Sequence, residues 1–246
     1  MTGVEVAALT TLVAVAAALY SSVGHGGASA YLAAMALFAV PVASMRPTAL
    51  TLNLVVAGLA SFRYLRAGQF NFRLFLALIL GAAPMAYLGG RLALDASIYR
   101  VLVGLTLWVA ATRLLWRPAI PDLAKVRMPS WWVATPTGAA TGLLAGLAGT
   151  GGGIFLSPVM LFLQWEQVRR ISGIAAVFIL VNSAAGLAGS LSDLRELPPI
   201  LPALVVAVVI GAVVGTWLGV ERLPRRHVER SLAIVLVVAG IKLVFS

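Results

Sequence analysis

Gly24-His25-Gly26-Gly27 and Gly149-Thr150-Gly151-Gly152 each set glycines around a polar side chain inside long apolar sequence. They lie 125 positions apart, from Gly24 to Gly149. Glycine permits a tight turn and lets a ligand approach the backbone. A helix restarting after such a turn, at Ala28 and at about Gly153, presents unpaired N–H groups and about half a positive charge. An end of that kind binds anions. The chemistry implied is reversible capture of an anion. The candidate site residues beside the first cluster are Ser22, Gly24, His25, Gly26, Gly27 and Ser29, with Ser21 near. Those beside the second are Gly149, Thr150, Gly151, Gly152 and Gly153, with Ser157 near. Thr48, Thr51 and Asn53 follow the first, and Asn182 and Ser183 the second, with Ser172 in the matching stretch. Hydroxyls and amides of these types donate hydrogen bonds. They also bond helix to helix, which explains the two asparagines equally well. An imidazole near neutral pH can hold a proton and donate to an anion, so His25 is the proton-coupling candidate. A purely structural hydrogen bond is the other reading of it.

Other chemistry is poorly supported. The chain has no cysteine, so disulfides and thiolate metal sites are excluded. Neither glycine cluster leads into the Gly-Lys-Ser/Thr of a P-loop, and no HExxH zinc motif occurs. Ile154 interrupts the dinucleotide fingerprint. The eight acids, Glu5, Asp95, Asp122, Glu166, Asp193, Glu196, Glu221 and Glu229, fall at segment ends or in connections. No carboxylate is placed mid-membrane to hold sodium, a metal or a proton relay, and no arginine is expected there. We therefore expect no metal, no cofactor, no ATP and no catalytic residue.

The segments that carry these residues are membrane helices. Of 246 residues, 61% are apolar and 11% charged, against roughly a quarter charged in a soluble domain. Apolar runs recur too often and too long for one water-soluble core. The net charge of +10 reads as arginine in loops, set by topology, and not as a nucleic-acid footprint. The start, MTGVEV, has no basic residue, so no signal peptide is expected.

The chain reads as two copies of one unit. Asn53 matches Asn182 at an offset of 129, and Gly81-Ala82 and Gly89 match Gly211-Ala212 and Gly219 at 130. Arg100 matches Arg230, and Arg113 falls one place from Lys242. Residues 1–117 form the first transmembrane repeat, 118–130 a proline-containing cytoplasmic linker, and 131–246 the second repeat. Each repeat holds a broken stretch (4–22 with 28–40; 132–148 with 153–164) and three spans (47–62, 74–91, 98–115; 172–190, 200–219, 229–245). The pieces after the clusters, about 18 Å long, fall short of a core of about 30 Å.

If each broken pair crosses once, the 18 basic residues split nine and nine. If each pair returns to its starting side, thirteen share one face and only Arg46, Arg91, Arg100, Arg195 and Lys242 the other. The positive-inside rule favours the second arrangement, with the arginine-rich loops cytoplasmic. An odd number of spans per unit then inverts the second unit. The expected fold is an all-α polytopic membrane protein of two inverted-topology repeats, each a broken, re-entrant pair plus three transmembrane helices. Interrupted helices in inverted repeats are the plan of many secondary transporters. The regular stripes Gly138-x3-Gly142-x3-Gly146 and Gly211-x3-Gly215-x3-Gly219 read as packing surfaces instead.

The twin clusters, the run Arg46-Pro47-Thr48-Ala49-Leu50-Thr51-Leu52-Asn53, Arg66-x-Gly68-x-Phe70, and Gly81-Ala82 with Gly89 resemble the sulfite exporter TauE/SafE family. The resemblance covers nearly the whole chain. It implies a carrier of sulfite, organosulfonates or other small organic anions, driven by protons or membrane potential. His25 is not implied by the family pattern. The expected function is alternating-access transport of a small anion held at the half-helix ends, with a coupled proton and the lipid bilayer as its other partners. An anion channel on the same fold, an intramembrane enzyme pairing His25 with Ser22 or Ser29, and a subunit of a membrane complex are the alternatives. No carboxylate orients His25 for the enzymatic one.

Overall fold

The computed structural model describes residues 1–21, 26–115, 126–217 and 225–245, omitting the side chains of Leu114, of 216–217 and of 225–232. His25, Ser22, Gly24 and most of the linker, 118–125, therefore lie outside the described residues. The described chain is helical throughout. The first half contains α1 (Gly3–Ser21), α2 (Ala28–Leu37), α3 (Val42–Arg66), α4 (Phe72–Arg91) and α5 (Ala96–Leu115). The second contains α6 (Trp131–Ala148), α7 (Gly153–Phe162), α8 (Val168–Gly189), a short 3-10 helix (Leu191–Glu196), α9 (Leu201–Trp217) and α10 (Arg225–Phe245). Long, short, long, long, long thus recurs in the same order.

Four helices, α1, α3, α4 and α8, are each long and apolar enough to cross a membrane. Further apolar helices accompany them, so the chain is a polytopic helical membrane protein. α2 and α7, at ten residues each, are about 15 Å long and cannot span. α3 starts earlier than the sequence suggests, at Val42. The helix runs through Pro47 in its second turn, which has no N–H to give the Ala43 carbonyl. The 3-10 turn at 191–196 has no forerunner in the sequence reading.

Packing is not half against half. The closest helix pairs are α4 with α6, α1 with α9, α5 with α10 and α3 with α8, each joining the two halves. Exchanging the halves turns the first pair into the second and maps the last two onto themselves. The glycine stripes carry these contacts. Gly138, Gly142 and Gly146 of α6 lie on the Leu78, Ala82 and Ala86 carbonyls of α4, in step, so the two helices run parallel. Gly211 and Gly215 of α9 lie likewise on Ala14 and Ala18 of α1. A methyl at any of these five would strike backbone, which is why small residues recur there. Gly104 of α5 faces Gly240 and Val244 of α10, whereas Gly240 faces Gly104 and Trp108, so this pair runs antiparallel.

Two apolar clusters result. One gathers α1, α2, α5, α9, α10 and one face of α3 around Tyr31, Leu32, Leu52, Leu107 and Leu236. The other gathers α4, α6, α7 and α8 around Leu78, Leu156, Met160 and Phe178. α3 and α8 meet where the clusters adjoin, and this seam holds the candidate site.

Candidate functional site

Both glycine clusters interrupt helices. At the second, α6 ends on Gly149 (φ 76°) and α7 starts after Gly152 (φ 85°), with Gly151 also left-handed (φ 71°). Side chains rarely adopt that conformation, so three of the five positions here require glycine. The amides of Gly149 and Thr150 both fold back onto the Ala145 carbonyl, which closes α6. At the first, Gly26 and Gly27 are non-helical and α2 begins at Ala28.

The two breaks meet on one side chain. A methyl on Gly26 would collide with Asn53 Oδ1 and lie 3.1 Å from Ile179 Cγ2. A methyl on Gly151 would lie 2.9 Å from Asn53 Nδ2, 2.8 Å from Ser183 Oγ and 2.8 Å from the same Ile179 Cγ2. Asn53 is at the middle of α3, and Ile179 and Ser183 are one turn apart on α8. The helix starts α2 and α7 are thus brought together against the seam, each with its unpaired first-turn N–H groups.

Several buried polar groups of α3, α8 and the second break lack partners among the described residues. Thr48, Asn53, Asn182 and Ser183 are completely buried and Thr150 is 5% exposed. The hydroxyls of Thr48, Thr150 and Ser183 and both amide atoms of Asn53 and Asn182 have no hydrogen-bond partner among the described residues. A buried amide or hydroxyl left unbonded costs about 1–3 kcal/mol, and native structures leave few of them. Of these groups, Asn53 and Ser183 share the surroundings of Gly151.

The other candidates are placed differently. Gly27 lies against the Tyr31 ring, and Gly152 against Phe178, Ala145 and the Thr141 carbonyl. Gly153 is the first residue of α7 and is buried. Ser29 shares a buried hydrogen bond of 3.1 Å with Tyr20 Oη. Ser21 donates to the Ala18 carbonyl at 3.2 Å. Thr51 donates to the Pro47 carbonyl at 2.8 Å and Ser172 to Val168 at 3.3 Å, so both hydroxyls are turned back on their own helices. Thr48 sits about 140° round α3 from Asn53, so these two point to different neighbours. At the far end of α2, Lys242 Nζ donates to the Leu37 carbonyl at 2.9 Å, a cation on the negative pole of the half-helix.

One arginine departs from expectation. The sequence reading leaves Arg46 in a connection, whereas the structure sets it in the second turn of α3, 8% exposed. A methyl on Gly149 would lie 3.1 Å from Arg46 Cγ, so its stem packs on the second break. Its Nη1 donates to the Leu92 carbonyl at 3.1 Å, and its Nη2 pairs with Asp193 Oδ2 at 2.5 Å. Arg46 and Asn53 are seven residues apart, hence on one face of α3 and about 10 Å from each other. That spacing is the signal by which sequence could have found it. Ile179 and Phe178 carried no such signal, since nothing distinguishes them from other apolar residues of α8.

A multi-pass helical protein with two interrupted helices meeting at a buried polar seam is built as membrane transporters are. Comparison with known proteins gives the same class. The pattern of the family described as "Sulfite exporter TauE/SafE" matches residues 9–243. The chain is 35% identical over 235 residues, 94% of its length and 95% of the other's, to the "Probable membrane transporter protein y4hK" of Sinorhizobium fredii (strain NBRC 101917 / NGR234). No solved structure matches it significantly. The chain belongs to the sulfite exporter TauE/SafE family, and it is a membrane transporter and not an enzyme.

Proposed function

We propose that this protein is a secondary carrier of a small anion, sulfite or an organosulfonate or other organic anion, bound where the N-termini of α2 and α7 face Asn53. The observation that carries the proposal is the convergence of both breaks on Asn53, beside buried donors that lack protein partners among the described residues. An anion accepting from Asn53 Nδ2, Ser183 Oγ, Thr150 Oγ1 and first-turn amides would satisfy these groups together. The two helix poles favour the negative charge without a fixed counter-ion at the centre, so binding stays weak enough for release.

The repeats in this reading have inverted topology, each broken pair re-entrant, with boundaries at 1–117, 118–130 and 131–246. The antiparallel pairing of α5 with α10, the fifth helix of each half, supports that. Alternating access then proceeds by movement of the two apolar clusters across the α3–α8 seam. The sequence repeats cannot rock as units, because each cluster takes helices from both halves. The arginine-rich loops face the cytoplasm and the bilayer is the inner membrane. Transport is coupled to a proton through His25, without ATP.

Counterflow in proteoliposomes tests the proposal. Internal unlabelled sulfite, sulfoacetate or a short carboxylate should accelerate uptake of the labelled anion, and uptake should saturate. Non-saturating flux without counterflow would make the protein a channel, and no flux of any of these anions would end the reading.

A further inference from the structure

We propose that Arg46 is an anion docking residue at one mouth of the site, held shut by Asp193, whose carboxylate occupies the place on the guanidinium that an arriving anion takes. This rests on the anion-carrier reading and adds to it a residue, a mouth and a closing contact.

The geometry is that of a latch across the seam. Arg46 belongs to α3, whose Met45, Ala49, Leu52 and Val56 lie in the first apolar cluster. Its guanidinium reaches the Leu92 carbonyl, at the end of α4 in the second cluster, and Asp193, in the connection that follows α8. Tyr99 Oη of α5 adds a bond of 3.4 Å to the Ala148 carbonyl at the end of α6, again from the first cluster to the second. All these contacts lie at the Leu92 end of the seam, beside Gly149 and about 10 Å from Asn53 along one face of α3.

The chemistry favours exchange. A guanidinium offers a planar fork of donors that fits the paired oxygens of carboxylate, sulfonate or sulfite alike. Asp193 is therefore a built-in mimic of the anion. Its side chain is 26% exposed while that of Arg46 is 10% exposed, so the carboxylate is the partner water and solutes can reach. An anion that displaces Asp193 releases the 191–196 connection from α3, loosening the closure on that side. It then stands one step from the buried donors at Thr150 and Asn53. By the Asn53–Asn182 register the counterpart of Arg46 is Ala175, fully buried.

Because the chain has no cysteine, the native background permits a direct test. Ser183→Cys is introduced and labelled in sealed right-side-out and inverted vesicles with an anionic (sulfonatoethyl) or cationic (trimethylammonium-ethyl) methanethiosulfonate. Asp193→Asn should speed labelling from the Leu92 side only, with the anionic reagent gaining about tenfold over the cationic one, as a cleft of one charge sign enriches counter-ions. Arg46→Gln should reverse that preference, since Asp193 then stands alone. The Arg46→Gln/Asp193→Asn pair should label fast with no preference, and it keeps the test available if Arg46→Gln alone does not fold. Equal rates and equal charge preference in all variants would overturn the proposal. Labelling needs no turnover, so absent sulfite counterflow with these shifts intact would sink the carrier reading and leave the latch standing.

Discussion

The two breaks begin from nearly the same residues, Gly-His-Gly-Gly-Ala and Gly-Thr-Gly-Gly-Gly, and end in different surroundings. Gly151 rests on α3 and α8 together, through Asn53, Ser183 and Ile179, in a left-handed conformation. Gly26 touches the same Asn53 and the same Ile179, with no second polar side chain among its nearest contacts in the described residues. Strict symmetry would give Gly26 the partner Asn182, the counterpart of Asn53. The second break also abuts a buried arginine, where the equivalent position on α8 is Ala175. Duplication thus supplies a frame in which two helix starts can face each other. Differences at a handful of positions set Arg46 beside the second break and put one asparagine between both breaks.

The largest effect expected from this difference is at the glycines. Gly151→Leu and Gly26→Leu should each abolish anion counterflow, because the added side chain fills the space before Asn53. They should part in stability. Gly151→Ala adds the left-handed penalty of about 1–2 kcal/mol to the crowding that Gly26→Ala also suffers. Its melting temperature in detergent should therefore be the lower of the two, and the reverse order would remove the conformational contrast between the breaks.

Next come the asparagines. Asn53→Leu should reduce counterflow by roughly tenfold or more while keeping or raising the melting temperature, since an unbonded buried amide costs about 1–3 kcal/mol. Asn182→Leu should lose less transport, as it is not among the nearest contacts of Gly26, Gly27, Gly149, Gly151 or Gly152. Equal losses would mean the two act as a symmetric pair. A sharp drop in melting temperature for Asn53→Leu would instead mark it as a helix-to-helix bond.

Ligand binding gives a smaller shift. Saturating the site to 100 times the dissociation constant should stabilise the fold by about 2.7 kcal/mol, read as a higher melting temperature with sulfite or an organosulfonate than with an equal concentration of a neutral analogue. Asn53→Leu should erase this increment. The smallest effect is expected at Thr51, whose hydroxyl is bonded to the Pro47 carbonyl. Thr51→Val should leave counterflow within about twofold and stability within about 0.5 kcal/mol, the usual range away from special features. A tenfold loss would place Thr51 in the shell after all.

Apolar runs and the helix-breaking glycines were readable without coordinates, because hydrocarbon thickness and backbone hydrogen bonding act locally. They gave the ten helices to within a few residues, the two breaks, and the stripes at Gly138–Gly146 and Gly211–Gly215 as close-packing faces. Asn53 was visible as a polar residue amid apolar ones, and so was its echo, Asn182. Which of the two would stand between the breaks was not readable, nor that Thr51 would turn back on its own helix. The partnership of Arg46 with Asp193 joins residues 147 positions apart and depends on how α3 packs beside the end of α8. Composition and periodicity thus determined the membrane class, the helices and the places where they snap. Tertiary packing alone decided which residues share the seam and where the Arg46–Asp193 pair lies, because those depend on distances between helices that no local pattern encodes.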